Sequence, residues 1–318
     1  MKKVLSLSAA VLTIAMLFTG CTGTSNKQFA LATGGTSGTY YAFGGALASL
    51  WNSKIEGMNV TAQTTGASKE NCRFVDDRTD DFAIVQNDVM DYAFHGTDMF
   101  DGEVKSNLTA IGTLYPEVVQ IAVSKSSGIK SVADFKGKRV SVGASGSGVE
   151  FNAKQIMAAY GLTFDDIIMS NLSFAESSAG IQNGTLDACF ITAGVPNPAL
   201  VELAVATGLE LIPVTGAEAA ATMAKYGYYT PTTIPAGTYK GTDVDTPALA
   251  IQATLIANKD VDTETVYQLT KTMFENLGEL GTLHAKGKEV SAESAIQGIS
   301  IPFHPGAAKY YKEIGLMN

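Results

Sequence analysis

The sequence predicts an α/β protein built from two units, and three observations carry that reading. Short β-rich runs alternate with helical ones along the chain. In each half, a loop rich in Gly and hydroxyls follows a strand and opens a helix. The length of 318 residues suits two cores better than one. In the first half, FALATG (29–34), NVTAQTT (59–65) and DFAIVQ (81–86) read as strands. Helices are expected over 40–51, from about 68 to 75, and from Asn87, which has the chemistry of an N-cap. LTAIGTLYPEVVQIAVS (108–124) reads as one or two strands broken at Pro116. The second half repeats the order, with a short capped helix at 131–135, then strands at 139–144, 167–173, 186–194 and 209–214. Helices over 149–161, 174–184 and 198–208 separate them. The stretch 225–241, rich in Tyr, Thr, Pro and Gly, has no period and reads as an irregular crossing. Beyond it, 247–258 is strand-like, 261–280 is helical through Val266, Leu269, Met273 and Leu277, and the tail from Ile301 reads as loop.

The first twenty residues differ from the rest. Lys2 and Lys3 precede an uncharged run from Val4 to Phe18, which ends in small residues and is too short to span a bilayer. This is the pattern of an export signal over 1–20. Phe18-Thr19-Gly20-Cys21 resembles the bacterial lipobox, with Phe18 where Leu is usual. The resemblance implies acylation of Cys21, a tether over 21–28, and a chain held outside the cytoplasmic membrane by its lipid. An ordinary secretory leader with an incidental Cys is the alternative. Loss of the two leader lysines takes the formal charge from −9 to about −11. The expected division is then 29–124 with 226–318 as one lobe and 125–225 as the other.

Composition excludes several functions. An acidic chain of pI about 4.9 argues against nucleic acid as the main partner, since neutralising phosphates needs a basic face. Cys72 and Cys189 read as buried free thiols, and His95, His284 and His304 stand apart, with no HExxH or CxxC. No metal site or cofactor is expected. No GxSxG context exists either, and His304 in IPFHPG reads as packing a turn, so no catalytic set is expected.

Three loops share one chemistry: 34–39, 143–148 and 192–195. Glycine lets a ligand approach the backbone, hydroxyls supply neutral donors, and the amides opening the next helix attract an anion. Gly143, Gly146 and Gly148 are out of register with a dinucleotide fingerprint.

GGTSGTYYAFGGALASLWN, QTTGASKEN, DFAIVQNDVMDYAFHG, the run from LYPEVVQIAVSKSSGIK through VSVGASGSGVEFNAKQIMAAYGL, LSFAES, NGTLDACFITAGVPNPAL, YYTPTTIPAGTYKG and IPFHPGAAKYYKE occur in this order. Together, over about Phe29 to Gly315, they resemble the TAXI family, the solute receptors of tripartite ATP-independent periplasmic (TRAP) transporters. The resemblance implies a two-lobed periplasmic-binding-protein-like fold with a ligand cleft between lobes, and delivery of solute to TRAP permease subunits. It also implies small carboxylate or amino-acid solutes, such as glutamate, glutamine or 2-oxoglutarate. Carried onto this chain, Thr36, Ser37, Thr39 and Tyr40 would line the first lobe, with Thr65 and Gln86 beside them. Ser145, Ser147, Thr192, Ala193, Gly194 and Val195 would line the second, and Tyr115 and Tyr229 are further candidates. Arg73, Arg78 and Arg139 are the only Arg in the chain, and none ends a strand, so no guanidinium clamp is expected. A monomer is the expected state. An ABC-type solute-binding lipoprotein and a surface interaction lipoprotein without solute are the alternatives.

Overall fold

The computed structural model describes residues 27–318. The expected export signal, Cys21 and most of the expected tether lie outside the described residues. Lys27 and Gln28, expected in the tether, instead open a strand and pair with Met58 and Asn59. In chain order the first elements are β1 (Lys27–Ala32), α1 (Thr39–Lys54), β2 (Met58–Gln63), α2 (Ser68–Asp76), β3 (Phe82–Gln86), α3 (Asn87–His95) and the long β4 (Leu108–Val123). There follow β5 (Arg139–Ser141), α4 (Gly148–Ala159), β6 (Ile168–Ser170), α5 (Phe174–Gln182), β7 (Ala188–Ala193), α6 (Pro198–Ala206) and β8 (Glu210–Leu211). The chain closes with α7 (Gly216–Lys225), β9 (Thr230–Ile234), the long β10 (Thr246–Asn258), α8 (Thr263–Glu275), α9 (Leu277–Leu283), α10 (Ala292–Ala295) and α11 (Pro305–Glu313).

The strands form one curled sheet in the order β2-β1-β3-β10-β4-β7-β5-β6, with β8 beside β4 and β9 beside β10. Parallel pairs lie at both ends, and the long strands β4 and β10 run antiparallel through the middle. Each long strand belongs to two cores. In the first, β3 alternates in strict period two: Phe82 and Ile84 meet α1 and α8, while Ala83 and Val85 meet α2 and α3. In the second, Val119, Ile121 and Val123 of β4 pack with Val140, Ile156 and Phe190 under α4 and α7, while Val118 and Ala122 face α5 and α6. Helices thus cover both faces of each half, as buried parallel strands require.

Several sequence expectations need correction. Pro116 does not break β4. It sits opposite Gln252, beside a register shift in β10, where a missing N–H is tolerated. Asn87 is the first helical residue rather than the cap, and its Oδ1 accepts from the Gln252 amide at 3.1 Å. The stretch 225–241 contains β9, paired with β10. The tail contains α11, because Pro305 stands at the first helical position, where it needs no N–H, and His304 Nδ1 caps the Gly306 amide at 3.1 Å. The bounds expected at 124/125 and 225/226 would divide packed clusters. Val119, Ile121, Ala122, Val123, Tyr229, Leu249 and Ile251 all lie in cores shared with β5 and β7. The chain passes from one core to the other inside β4, near Glu117, and inside β10, near Ile251.

Candidate functional site

Strand ends and helix starts converge where β4 passes between the cores. A cavity of about 130 Å³ lies there, lined from the first lobe by Gly34, Ser37 and Tyr40, by the Thr65–Ser68 segment and by Gln86. The second lobe contributes the Ala144–Val149 loop, Ser173, Phe174 and Thr192, and Glu117 stands at the crossing. The first turns of α1, α2, α4 and α5 all border it, so four positive helix ends meet around one small volume. Gly38 and Ala67, the N-caps of α1 and α2, offer no side-chain cap, whereas Ser147 Oγ accepts from the Glu150 amide at 3.3 Å and Ser173 completes a capping box.

Local hydrogen bonds hold these loops. Thr33 Oγ1 donates to the Gln63 carbonyl at 2.5 Å. The Asn71 amide donates to the carbonyls of Thr33 and Ile84 at 2.7 and 2.8 Å, while its oxygen accepts from Thr65 Oγ1 at 2.6 Å. Ser68 Oγ accepts from the Gln86 amide at 3.1 Å.

The two lobes touch across the cavity. Thr39 Oγ1 accepts from the Gly194 amide at 3.1 Å, and Asn197 Nδ2 donates to the Ser37 carbonyl at 3.4 Å. Behind the cavity a second polar seam joins Asn152 Nδ2 to Asp88 Oδ2 at 3.3 Å, Gln155 Nε2 to the Tyr92 hydroxyl at 3.2 Å, and the Tyr228 hydroxyl to Asp91 at 2.5 Å. Gly148 is pressed against Gln86 so closely that a Cβ would stand 1.9 Å from Gln86 Oε1.

The candidate residues separate accordingly. Ser37, Tyr40, Thr65, Gln86, Ser147 and Thr192 line the cavity. Thr36 and Ser145 are exposed on the same loops. Thr39 and Gly194 make the interlobe bond, and Ala193 and Val195 flank it without lining the cavity. Tyr115 is buried edge-on against Phe43, its hydroxyl without a partner. Tyr229 is a core aromatic whose hydroxyl bonds Asn152 and Gln155 at 2.8 and 2.7 Å. None of the lining residues is Lys or Arg. Arg73 pairs with Glu103 and Arg139 with Asp187.

Sequence reasoning missed Glu117. It is 2% exposed and accepts from the Tyr40 hydroxyl at 2.5 Å. Burial pushes its carboxyl up to about 8; the nearby Asp88 charge adds to the rise, while the Tyr40 bond and Lys286 oppose it. The available signal was its place as the single charged residue in the sixteen of β4. Asp88, also buried, is raised to about 7, again chiefly by burial.

This is the two-lobed fold of periplasmic solute-binding proteins. An ABC uptake transporter substrate-binding protein of Streptococcus pneumoniae with bound histidine superposes with a TM-score of 0.53 at 14% identity, covering 85% of this chain and 96% of its own. A protein of Bordetella bronchiseptica RB50 gives 0.54 at 17% identity, covering 92% and 89%. The alkanesulfonate-binding protein of Xanthomonas axonopodis pv. citri, solved with MOPS, gives 0.50 at 14%, covering 92% and 94%. Residues 31–315 match the NMT1-like family, and the chain belongs to it.

Proposed function

We propose that the protein is the extracytoplasmic, lipid-anchored solute receptor of a TRAP transporter of the TAXI type. It captures a small carboxylate or amino acid and presents it to the membrane permease. One observation carries this reading: the cavity is enclosed between two lobes, and four helix starts converge on it without a basic side chain. Helix-start amides hold a carboxylate without a guanidinium clamp. An engineered cavity of similar size, about 150 Å³, holds benzene, so this one suits a solute of roughly six to ten non-hydrogen atoms. The interlobe bonds, Thr39 to Gly194 above all, are those a closed receptor uses.

The test has two parts. Mass spectrometry of material released on denaturation, followed by a thermal-shift panel of carboxylates and amino acids, identifies the solute. Uptake is then reconstituted in vesicles with the candidate permease. Uptake driven by an ion gradient without ATP is expected. Strict dependence on ATP hydrolysis would replace TRAP with an ABC partner, a second reading favoured by the ABC receptor among the structural neighbours.

A further inference from the structure

Two residues of the cavity lining each carry a side-chain oxygen without a donor. Gln86, 2% exposed, has an Oε1 with no hydrogen-bond partner. Glu117 uses Oε2 to accept from Tyr40, and no donor among the described residues is paired with its other oxygen. Unpaired buried acceptors are costly, and an ionised carboxylate without a counter-charge more so. The charged and titratable groups around Glu117 are Tyr40 on α1, Tyr115 on its own strand, Asp88 on α3 and Lys286 after α9. Lys286 is already committed to Glu289 at 2.6 Å and does not line the cavity. Nothing cationic in the lining answers Glu117.

We infer that Glu117, with Gln86, is the subsite for a cationic nitrogen on the solute, so the site selects amine-bearing acids over the matching oxo and hydroxy acids. This rests on the cavity being the solute site. An ammonium supplies three N–H donors and one positive charge, which suits the free oxygen of Glu117 with the Gln86 carboxamide beside it. The solute carboxylate then lies toward the helix starts, away from Glu117. A plain carboxylate would either set a second anion against Glu117 or require that side chain to keep its proton and donate it.

These arrangements differ in the sign of proton exchange. Free Glu117 is largely protonated at neutral pH, since its carboxyl is raised to about 8. An ammonium lowers it and drives the proton out. Affinity for the amine should therefore rise by up to about tenfold per pH unit between about 6 and 8, with proton release on binding. A carboxylate seated on protonated Glu117 gives the opposite sign.

The experiment is isothermal calorimetry of the full chain in buffers of differing ionisation enthalpy. The probes are glycine, alanine, serine, glutamate and glutamine, with their matched 2-oxo and 2-hydroxy acids. At least one amine should bind tenfold or more tighter than its deaminated partners, with proton release. Glu117→Gln keeps an acceptor for Tyr40 but removes the charge; it should abolish both the preference and the proton release. Its unliganded melting temperature reports whether it folds, and Tyr40→Phe serves as a second variant with the carboxyl retained. Oxo or hydroxy acids that bind as tightly as the amines, or with proton uptake, overturn the inference and leave the receptor reading intact. Failure of every probe and of every co-purified solute overturns both.

Discussion

Thr39 Oγ1 accepts the Gly194 amide at 3.1 Å, joining the first turn of the first lobe's leading helix to the residue that follows β7 in the second. The bond exists only when the lobes meet. Thr39→Val keeps the shape and removes the acceptor, leaving a buried amide unpaired. A neutral hydrogen bond contributes about 1 kcal/mol, so solute affinity should fall about fivefold. The unliganded melting temperature should barely move, since neither core is touched. Calorimetry and a melting curve check the pair of expectations.

Gly148 limits closure more severely. A Cβ there would stand 1.9 Å from Gln86 Oε1 and 2.3 Å from its carboxamide carbon. Gln86 is buried, so the overlap falls on the approach of the lobes rather than on a free side chain. Gly148→Ala should hold the protein open, with a larger radius of gyration by small-angle scattering and affinity reduced more than tenfold. Adding Gln86→Ala should restore the compact form without restoring affinity. A compact single mutant would show that Gln86 can move aside.

Much of the architecture is local and could be read from residue patterns. Each strand–glycine–helix passage is written in a few neighbouring positions, and both hydroxyl loops reach the cavity. Side-chain direction within those loops is harder to read. Gly143 and Gly146 take positive φ, and the resulting turn leaves Ser145 in solvent while burying Ser147. Glu117 stands out in sequence only as the single charge in β4, and its place in the site is not legible there, because it depends on β4 pairing with β10 and then β7, contacts far apart in the chain. The same non-local pairing hid the lobe crossings inside two continuous strands. Helix α11 is hidden for a different reason: the Pro-flanked run IPFHPG reads as a turn inside a loop, although Pro305 at the first helical position favours a helix start.

Asn71 carries more stability than its size suggests. Its amide satisfies the carbonyls of Thr33 and Ile84, and its oxygen takes the Thr65 hydroxyl, all next to the cavity wall. Asn71→Ala leaves two buried carbonyls without donors, at a cost of about 2–4 kcal/mol. Chemical denaturation should show a lower midpoint with an unchanged slope. Asn71→Asp should be at least as harmful, because the new carboxylate cannot donate to either carbonyl. A loss below about 0.5 kcal/mol would mean that water replaces the side chain.

The two buried acids set the pH dependence of the unliganded protein. Glu117 rises from 4.5 to about 8 and Asp88 from 3.8 to about 7, both chiefly through burial. Between these limits the folded chain holds protons that the unfolded chain has lost. Folding is then coupled to proton uptake, and stability falls as pH rises. Their contribution is whole below about pH 4 and is lost as pH climbs through about 7 for Asp88 and about 8 for Glu117, then levels off. Surface carboxyls such as Asp187, held low by Arg139, and Asp262, held low by the Thr265 amide, act in the opposite direction in more acid solution, and His284 and His304, held low chiefly by burial, do so just below the ordinary imidazole value. The melting temperature should therefore peak at about pH 6 and fall by several degrees toward pH 8. Asp88→Asn and Glu117→Gln should each flatten that slope, and the double variant should flatten it further. Saturating amine solute should flatten it too, since binding tightens over the range where the free protein weakens. A melting temperature that climbs from about pH 6.5 to 8 in the wild type, above the range in which His284 and His304 titrate, would show that the carboxyls do not keep their protons in the folded chain.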